Sequence, residues 1–455
     1  MGHAEETPAP GRRRVRPARS DLRQAVPTDQ AIRAAVAAEK IAIERLLSRL
    51  VAAPTVLGQE TRGQQVMRRA FVASGLEARE VRLDAAALRA HPGASPFSWE
   101  VAGKANIVAD WGTHRSRNPR SHGERSGGHS LVLNGHIDVV SPEPLSLWSS
   151  PPFAARRDGE WLYGRGAGDM KAGLAAMVGA VRGCKRLGLE PLARIQLQSV
   201  VEEECTGNGA LQCVMAEPGA DGAILLEPTS LEVQTAQVGV LWFQVRVTGQ
   251  PSHAGEAQPG GNAIEAAYPI IRALRELEAK LNLRPPEPFD RYPHPINLNV
   301  GVMRAGDWPS TVAAEATVHC RLALYPEQRV AELRRLVEDA IKLATSAPEL
   351  QPFEVAVDYD GFGCRGYALP DTAPLVLAVS RAREHATGTV AKPFPSTATT
   401  DARSFGLYGD TPAVCFGPHA EGVHGADERV HLPSVLETAQ VLALLIRDWC
   451  GLGAS

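Results

Sequence analysis

Short apolar segments alternate with helical segments along most of this 455-residue chain. Residues 130–134, 195–201 and 222–226 are apolar runs of strand length, and residues 170–187 form a predicted helix with small side chains on one side. Strands that alternate with helices form α/β domains, in which a largely parallel sheet carries helices on its faces. The chain is therefore predicted to be an α/β protein with a mixed, largely parallel sheet and flanking helices.

The pattern changes near residue 238, where longer strands with alternating polar and apolar residues begin. The order strand, helix, two strands, helix and strand indicates a small α+β sandwich inserted in a larger domain. A chain of this length is too long for one ordinary core, so two domains are expected. We predict a larger domain at residues 28–238 and 363–455, which begins with a helix over 29–51, an inserted domain at 239–362, and a disordered tail at 1–27.

The composition excludes several classes of partner. The formal net charge is −3, so no nucleic acid partner is expected. No apolar run could cross a bilayer and the first residues lack the apolar core of a signal peptide, so neither a membrane partner nor secretion is expected. The seven cysteines have irregular spacings without a CxxC pair, which fits the cytoplasm. The basic, glycine-rich segment 111–129 is predicted to be a surface loop, because no aromatic residues are interleaved with its charges.

Acidic and histidine side chains stand directly after the predicted strands, at the sheet edge where the sites of α/β proteins gather. His136 and Asp138 follow strand 130–134, and alternate residues of an extended chain face the same side. His136 could therefore bind a metal while Asp138 fixes its ring from behind. The remaining residues of this kind are Asp169 in a glycine-rich turn, the acidic triplet at 202–204, Glu227 and His424.

Each of these motifs has an alternative interpretation. A single HxD pair is usually structural, and the glycine-rich segment 164–173 could be taken for a phosphate-binding loop. That segment lacks the GKS or GKT ending, and Asp169 would repel a phosphate. Three acids after a buried strand are costly unless positive charge compensates them, which a pair of metal ions would do. Nitrogen and oxygen ligands without cysteine favour zinc, with cobalt or manganese as alternatives, and the set suffices for two metals that share a carboxylate.

With these motifs in this order, the chain resembles the co-catalytic zinc amidohydrolases and exopeptidases. That family includes acetylornithine deacetylase, succinyl-diaminopimelate desuccinylase, aminoacylase and bacterial glutamate carboxypeptidase. The resemblance covers nearly all of the chain outside the tail, and it implies two bound Zn²⁺ ions. It also implies the ligands: His136 and Glu227 would bind the first metal, Glu204 and His424 the second, and Asp169 would bridge both.

The same resemblance implies roles for three further residues. Glu203 would be the general base, which takes a proton from water and returns it to the leaving amine. Asp138 would support His136. His253, in a Pro-Ser-His-Ala-Gly motif, would reach the active site of a partner subunit and stabilise the oxyanion; the alternative is a loop histidine with no role. The inserted domain would then form a homodimer and close as a lid over the substrate.

The sequence departs from the family where the substrate is bound. Ser310 begins the run that replaces the family's Asn-Val-Ile-Pro, and Ala323 stands where an arginine clamps the substrate carboxylate. Arg321 lies two residues earlier and would project from the same face of the strand. It either supplies the clamp from this shifted position or is a surface residue of the strand. Asn299 and Thr400 complete the predicted substrate-binding set.

We therefore predict a metal-dependent enzyme that hydrolyses the amide bond of a small N-acyl amino acid or related N-acyl amine, similar to acetylornithine deacetylase and succinyl-diaminopimelate desuccinylase. A dipeptidase or carboxypeptidase with the same centre is the first alternative, because only the pocket on the acyl side would differ. A non-catalytic metal-binding relative is disfavoured, because the proton carrier Glu203 is present together with every ligand. The acyl group, the amine and the physiological metal stay open.

Overall fold

The computed structural model describes residues 1–2, 26–112, 128–257 and 261–454. The predicted disordered tail and most of the predicted loop at 111–129 therefore lie outside the described residues. Among the helices that are described, none is both long enough and apolar enough to cross a membrane.

Helices and strands account for most of the described chain. The α-helices are α1 (Asp29–Ala37), α2 (Lys40–Val51), α3 (Thr61–Ala73), α4 (Ala85–Ala90), α5 (Ala172–Arg186), α6 (Asn208–Ala216), α7 (Ala263–Leu281), α8 (Val330–Thr345), α9 (Pro374–Thr387), α10 (Ala402–Tyr408) and α11 (Leu432–Leu445). The strands are β1 (Glu77–Arg82), β2 (Ala105–Trp111), β3 (Leu131–His136), β4 (Arg156–Asp158), β5 (Trp161–Tyr163), β6 (Leu189–Pro191), β7 (Ile195–Val200), β8 (Ala223–Leu225), β9 (Val233–Gln237), β10 (Gly239–Thr248), β11 (Leu298–Ala305), β12 (Glu315–Leu324), β13 (Glu354–Asp358), β14 (Gly363–Cys364), β15 (Tyr367–Ala368), β16 (Pro393–Ser396), β17 (Ala413–Cys415), β18 (Ala420–Glu421), β19 (Arg429–His431) and β20 (Leu452–Ala454).

A large mixed sheet has the strand order β1-β2-β7-β3-β8-β17-β9-β15, with β16 beside β9. At its centre β7, β3, β8 and β17 are parallel, whereas β1 and β15 pair antiparallel at the margins. Alternation along β3 separates the two helical layers: Leu131 and Leu133 join the core shared with α5 and α11, and Val132 joins the core shared with α6 and α10. The predicted fold class is confirmed, with parallel pairing concentrated at the centre.

A second, antiparallel sheet follows β9 and has the order β11-β12-β10-β13, with β14 beside β10. Helices α7 and α8 pack on one face of it, against residues such as Leu241, Phe243 and Cys320. The alternate residues of β10, including Trp242 and Gln244, lie on the opposite face. The chain then returns to the large sheet at β15, which pairs with β9.

The predicted helix over 29–51 is two helices in the structure. The chain turns at Glu39, whose amide donates to the carbonyl of Val36 (2.9 Å). The Glu39 carboxylate accepts hydrogen bonds from Arg182 (2.7 Å) and Arg186 (3.3 Å) of α5. This turn allows α1 and α2 both to contact α5. Periodicity alone did not reveal it, because apolar spacing continues on both sides of the turn.

The parallel centre of the large sheet brings distant residues to one edge. β3 ends at His136, β7 ends just before the acidic triplet, and β8 ends just before Glu227. Helix α5 packs so closely on this edge that a Cβ atom on Gly173 would lie 2.1 Å from the carbonyl oxygen of Leu226. Glycine at this position therefore sets the distance between the helix and the strand end.

Candidate metal centre and active-site cleft

Six of the residues predicted to carry the chemistry meet at this edge of the large sheet. His136 is the last residue of β3, and Asp169 lies in the turn that precedes α5. His424 comes from the loop between β18 and β19, where it adopts a left-handed backbone conformation (φ 62°). The other three are Glu203, Glu204 and Glu227, which follow β7 and β8.

One half of the cluster surrounds His136, which is almost completely buried. Its Nε2 atom lies 3.0 Å from Oδ1 of Asp169 and 3.8 Å from Oε2 of Glu227. Oε2 of Glu203 is 3.9 Å away. One imidazole and carboxylates of three separate segments therefore converge on one point.

The other half of the cluster surrounds His424. Its Nε2 atom lies 3.1 Å from Oε2 of Glu204 and 3.4 Å from Oδ2 of Asp169. Asp169 thus directs one carboxylate oxygen to each histidine. Ligand atoms of His136, Asp169 and Glu204 also lie within 4.8 Å of one another. A carboxylate that joins two donor sets is the arrangement required for a bridged pair of metals.

The acids of this cluster outnumber its histidines. Four carboxylates lie 3.0–3.9 Å from two imidazoles, so full ionisation of the acids would leave a negative charge even with both histidines protonated. Burial raises the pKa of Glu203 and of Glu227 well above the ordinary value. Burial also opposes ionisation of Asp169, but hydrogen bonds from both histidines outweigh it and lower the pKa of Asp169. Buried acids in this number require added positive charge, which divalent cations supply.

The donor set fits divalent metals in two further respects. Nitrogen and oxygen donors without thiolates suit zinc and its neighbours among the transition metals. In addition, Oε1 of Glu203 is buried and has no hydrogen-bond partner within the described residues. A buried acceptor without a partner is costly unless a ligand or water meets it.

Asp138 lies behind the His136 ring and contacts both halves of the cluster. The Nδ1 atom of His136 hydrogen-bonds the backbone carbonyl of Asp138 (2.9 Å), and the Asp138 carboxylate lies farther away, at 3.8 Å. That carboxylate instead accepts the amides of Glu203 (3.2 Å) and Glu204 (3.0 Å). The carbonyl of Asp138 therefore orients the histidine ring, and its carboxylate orients the acidic triplet.

The first acid of the triplet belongs to the packing. Glu202 is fully buried and accepts hydrogen bonds from Lys104 (2.8 Å), Trp99 Nε1 (2.8 Å) and Thr206 (2.9 Å). Lys104 also pairs with Glu60 at 2.9 Å. The prediction that all three acids require a metal is thus wrong for Glu202, because the positive charge of Lys104 compensates its negative charge.

Sequence reasoning missed Glu428, which lies four residues after His424. Its carboxylate accepts the amides of Gly166 (3.1 Å), Gly168 (2.8 Å) and Asp169 (3.0 Å). It also pairs with Arg165 at 2.6 Å. Glu428 therefore fixes the turn that presents the carboxylate of Asp169. An acid in the same loop as a predicted ligand was the signal that could have found it.

Asp401 is a second buried acid to which no role was assigned. It is 1% exposed, and neither carboxylate oxygen has a hydrogen-bond partner within the described residues. Burial raises the pKa of Asp401 to about 6. The charge of Arg403 favours the ionised form of Asp401, and Asp401 in turn raises the pKa of Glu203. Asp401 thus adds to the negative charge behind the cluster.

A cleft of about 670 Å³ separates the metal-ligand cluster from the second sheet. Glu203, Glu204 and His424 line one side of it, and Asn299 and Arg321 line the other. A cavity of this size accommodates a small organic ligand.

Arg321 lies in the middle of the second wall. Asn299 on β11 and Trp242 on β10 flank it in register on β12. Burial lowers the pKa of Arg321, and its guanidinium makes no hydrogen bond or ion pair within the described residues. This half-buried position disagrees with the alternative in which Arg321 is an exposed strand residue.

The remaining three predicted residues lie outside this cleft. His253 is exposed and bridges Thr311, and the amide next to His253 donates to the carbonyl of Ser310 (3.0 Å). Thr400 is buried, and its hydroxyl donates to Gln237 (2.6 Å). Its neighbour Thr399 lines the cleft instead. The structure thus brings six predicted residues together with Asp138 behind them, adds two from the opposite wall, and leaves His253, Ser310 and Thr400 apart.

Comparison with known proteins gives one family. The model of peptidase family M20/M25/M40 matches residues 132–448. An N-formyl-4-amino-5-aminomethyl-2-methylpyrimidine deformylase of Halalkalibacterium halodurans is 28% identical over 344 residues, 71% of this chain and 80% of that protein. An acetylornithine deacetylase of Yersinia pseudotuberculosis is 27% identical over 350 residues, 76% of this chain and 84% of that protein.

Solved structures share the fold. The dipeptidase Dug1p of Saccharomyces cerevisiae superposes with a TM-score of 0.75 at 12% identity, over 93% of this chain and 98% of that one. The YXEP protein of Bacillus subtilis, described as a dinuclear metal binding peptidase, superposes with a TM-score of 0.55 at 15% identity, over 91% of this chain and 99% of that one. At these identities the likeness concerns the fold alone.

Proposed function

We propose, from the premise that this chain belongs to peptidase family M20/M25/M40, that it hydrolyses the amide bond of an N-acyl amino acid or a related N-acyl amine. Its curated relatives include a deacetylase and a deformylase, so it is a hydrolase of the deacylase type. The observation that carries the proposal is the position of Asp169, whose two oxygens face two separate donor sets beside a cleft of substrate size.

The ligands divide naturally into two sets. His136 and Glu227 would hold one divalent ion, Glu204 and His424 would hold the other, and Asp169 would be shared. Zinc is the proposed metal, with cobalt or manganese as alternatives, because the donors are imidazoles and carboxylates. When bound, two such ions lower the pKa of a water molecule and polarise a substrate carbonyl.

Glu203 is the proposed general base. It lines the cleft, its backbone amide donates to the Asp138 carboxylate, and its Oε1 atom has no hydrogen-bond partner in the described structure and can accept a proton. It would take a proton from the attacking water and deliver it to the leaving nitrogen. The carbonyl of Asp138 would keep His136 in the tautomer that leaves Nε2 as the ligand atom.

The opposite wall is proposed to bind the carboxylate of the substrate. Arg321 offers a planar guanidinium with no internal acid partner in the described structure, and the adjacent Asn299 offers an amide. Desolvated arginine binds carboxylates strongly and in two-point fashion. Thr399 replaces Thr400 in this proposal, because the Thr400 hydroxyl already bonds Gln237.

His253 and Ser310 are proposed to act in a homodimer. They lie side by side on the surface, outside the cleft of their own chain, so they would serve the cleft of a partner subunit. Strand β11 is an edge strand of the second sheet and carries the exposed apolar residues Val302 and Met303, which supports association at this sheet. In this proposal residues 239–362 form a dimerisation and lid domain, and residues 28–238 with 363–455 form the catalytic domain.

A dipeptidase activity is the second candidate. The same centre would cut a peptide bond, and Dug1p has this fold. Deacylation is favoured, because the deacylase relatives are similar in sequence over more than two thirds of the chain. The cytoplasm is the proposed location, supported by seven cysteines that are all free and buried.

The test is a substrate panel of N-acetyl, N-formyl and N-succinyl amino acids and dipeptides, with the enzyme loaded with Zn²⁺ or Co²⁺. We expect turnover of at least one acyl compound, and its loss by about 10²- to 10⁴-fold in Glu203→Gln, because a general base contributes this much. Metal content, measured by mass spectrometry, should survive in that variant. The exposed acid variant Glu160→Gln is the control. Undiminished turnover in Glu203→Gln would refute the proposed role, and a wholly inactive panel would refute the proposed function.

A further inference from the structure

The second wall of the cleft carries a small apolar cluster that is separate from the large cores. It consists of Val240, Trp242, Phe362 and Cys364. Three of these residues are buried, and Trp242 is half-buried and lines the cleft. None of these four residues has a role in the proposed catalytic mechanism, although Trp242 pairs in register with Arg321.

The indole of Trp242 is held in one orientation. Its ring meets the Phe362 ring edge to face, with centroids 5.2 Å apart and an interplanar angle of 83°. It also covers Gly361 so closely that a Cβ atom there would lie 2.4 Å from the indole. Because these contacts fix the ring before any ligand arrives, the wall presents a rigid aromatic surface to the cleft.

A second indole lines the same cleft. The Nε1 atom of Trp99 donates to the buried carboxylate of Glu202 (2.8 Å), and the Trp99 ring contacts Phe97 with centroids 6.5 Å apart. The chain contains only seven tryptophans, and two of them face this cavity. Fixed aromatic groups on the cavity walls favour a flat apolar ligand.

The apolar surface around Trp242 extends only a short distance along the cleft face of β10. On β10 the residue that follows Trp242 on the cleft face is Gln244, and His319 lies opposite Gln244 on β12. A long aliphatic chain would therefore extend from the apolar cluster onto polar side chains. A single ring matches the patch better, since it covers the indole and leaves the polar row to water.

Arg321 provides the adjacent anchor for charge. It pairs in register with Trp242 on the neighbouring strand, and both residues line the cleft, where the guanidinium has no acid partner in the described chain. We propose that the substrate carries one planar aromatic ring, carbocyclic or heterocyclic, which packs against Trp242 while its carboxylate binds Arg321. This inference rests on the proposed function and specifies its substrate class.

The test compares N-acetyl-L-phenylalanine, whose ring is planar and aromatic, with N-acetyl-L-cyclohexylalanine, whose six-membered ring is saturated and puckered. Aromatic pairs contribute about 0.5–1.5 kcal/mol beyond burial, so kcat/KM should favour the aromatic substrate by roughly 2- to 12-fold. In Trp242→Leu the ratio should fall to about 1, and in Trp242→Phe it should be largely retained. Trp161→Leu, which removes a half-buried indole of β5 outside the cleft, is the matched control and should keep the full ratio.

The outcomes separate this inference from the proposed function. Hydrolysis of both substrates without aromatic preference, or a preference that persists in Trp242→Leu, would overturn the inference and leave the deacylase intact. If no acyl compound is hydrolysed, the proposed function fails, and calorimetry with phenylacetate and cyclohexylacetate decides the inference. Tighter binding of phenylacetate to the metal-loaded wild type but not to Trp242→Leu would support it, and equal binding of both acids would refute it.

Discussion

Glu428 joins two loops that meet only in the folded chain. Its carboxylate accepts hydrogen bonds from the amides of Gly166, Gly168 and Asp169, which belong to one turn, and it pairs with Arg165. Four residues earlier, the same loop provides His424. One buried acid therefore fixes the position of Asp169, the proposed bridging ligand, relative to His424, a proposed ligand of the second metal, as hydrogen-bonded partners of metal ligands commonly do.

Replacing Glu428 by Gln should weaken metal binding without removing a ligand. The amide keeps one acceptor oxygen but loses the charge that pairs with Arg165, so the turn around Asp169 should loosen. We expect roughly a 10- to 100-fold loss of metal affinity, measured by titration in metal buffers. The neighbouring Asp427→Asn variant, whose carboxylate bonds Ser149 near the surface, is the control. Unchanged affinity in Glu428→Gln would contradict the positioning role.

The proposed metal ligands were easier to identify from the sequence than the residues that contact them. His136 and Glu227 stand at the ends of apolar strands, where a polar side chain has a local signal in the sequence. Glu428 and Asp401 act through partners more than 100 positions away, which no local pattern records. The role of Arg321 required the register of β10, β11 and β12, because only pairing reveals which side chains share a row.

Among the elements, α7 and β11 are joined by one buried carboxylate. Glu278 of α7 accepts the amide of Leu298 at the start of β11 (2.7 Å), His294 (3.1 Å) and Arg275 (2.9 Å). Burial opposes ionisation of Glu278, but these hydrogen bonds outweigh it and lower its pKa. The ionised acid therefore stabilises the attachment of the edge strand to its helix.

This contact should make stability depend on pH in a defined direction. A lowered pKa gives stability that is present above the unfolded value, about 4.3, and is lost as the pH falls toward the folded value. The melting temperature of Glu278→Gln should lie below wild type at pH 6–7, and the difference should shrink below about pH 4. Thermal unfolding across this range measures it, with the exposed Glu276→Gln as the control. A pH-independent difference would argue against an ionised Glu278.

Elements were predictable where their periodicity was strong. The central strands predicted at 130–134, 195–201 and 222–226 and the helix predicted at 170–187 lie close to the observed bounds of β3, β7, β8 and α5, since apolar residues set them off from their polar flanks. The segment containing α3, β1 and α4 yielded no prediction, and the turn at Glu39 was missed. In both places tertiary contacts, such as those of Glu39 with α5, determine a structure that local pattern leaves ambiguous.

At the scale of the whole molecule, the cleft lies between two sheets, and His253 lies outside it. The proposed homodimer predicts that inactive variants rescue one another. His253→Ala and Glu203→Gln should each have low activity as pure proteins. In re-equilibrated mixed dimers, one cleft combines an intact Glu203 with an intact His253 from the partner, so about a quarter of wild-type activity should return.

The two variants are mixed and diluted so that their subunits exchange, and turnover is then measured. Light scattering follows the oligomeric state. Mixing Glu203→Gln with itself under the same conditions is the control. A dimer that regains no activity would show that His253 does not serve the neighbouring cleft, and a monomer would remove the proposed association.

The segment that contains the second sheet and its helices begins and ends at neighbouring strands of the large sheet, because Gln237 of β9 pairs with Tyr367 of β15. A segment whose entry and exit are adjacent strands can be lengthened, replaced or lost in evolution while the strands that carry the ligands keep their register. The wall with Trp242 and Arg321 belongs to that segment, whereas the proposed ligands do not. Substrate selectivity can therefore change by exchange of this one segment, while the proposed metal ligands and the hydrolytic chemistry that depends on them are retained.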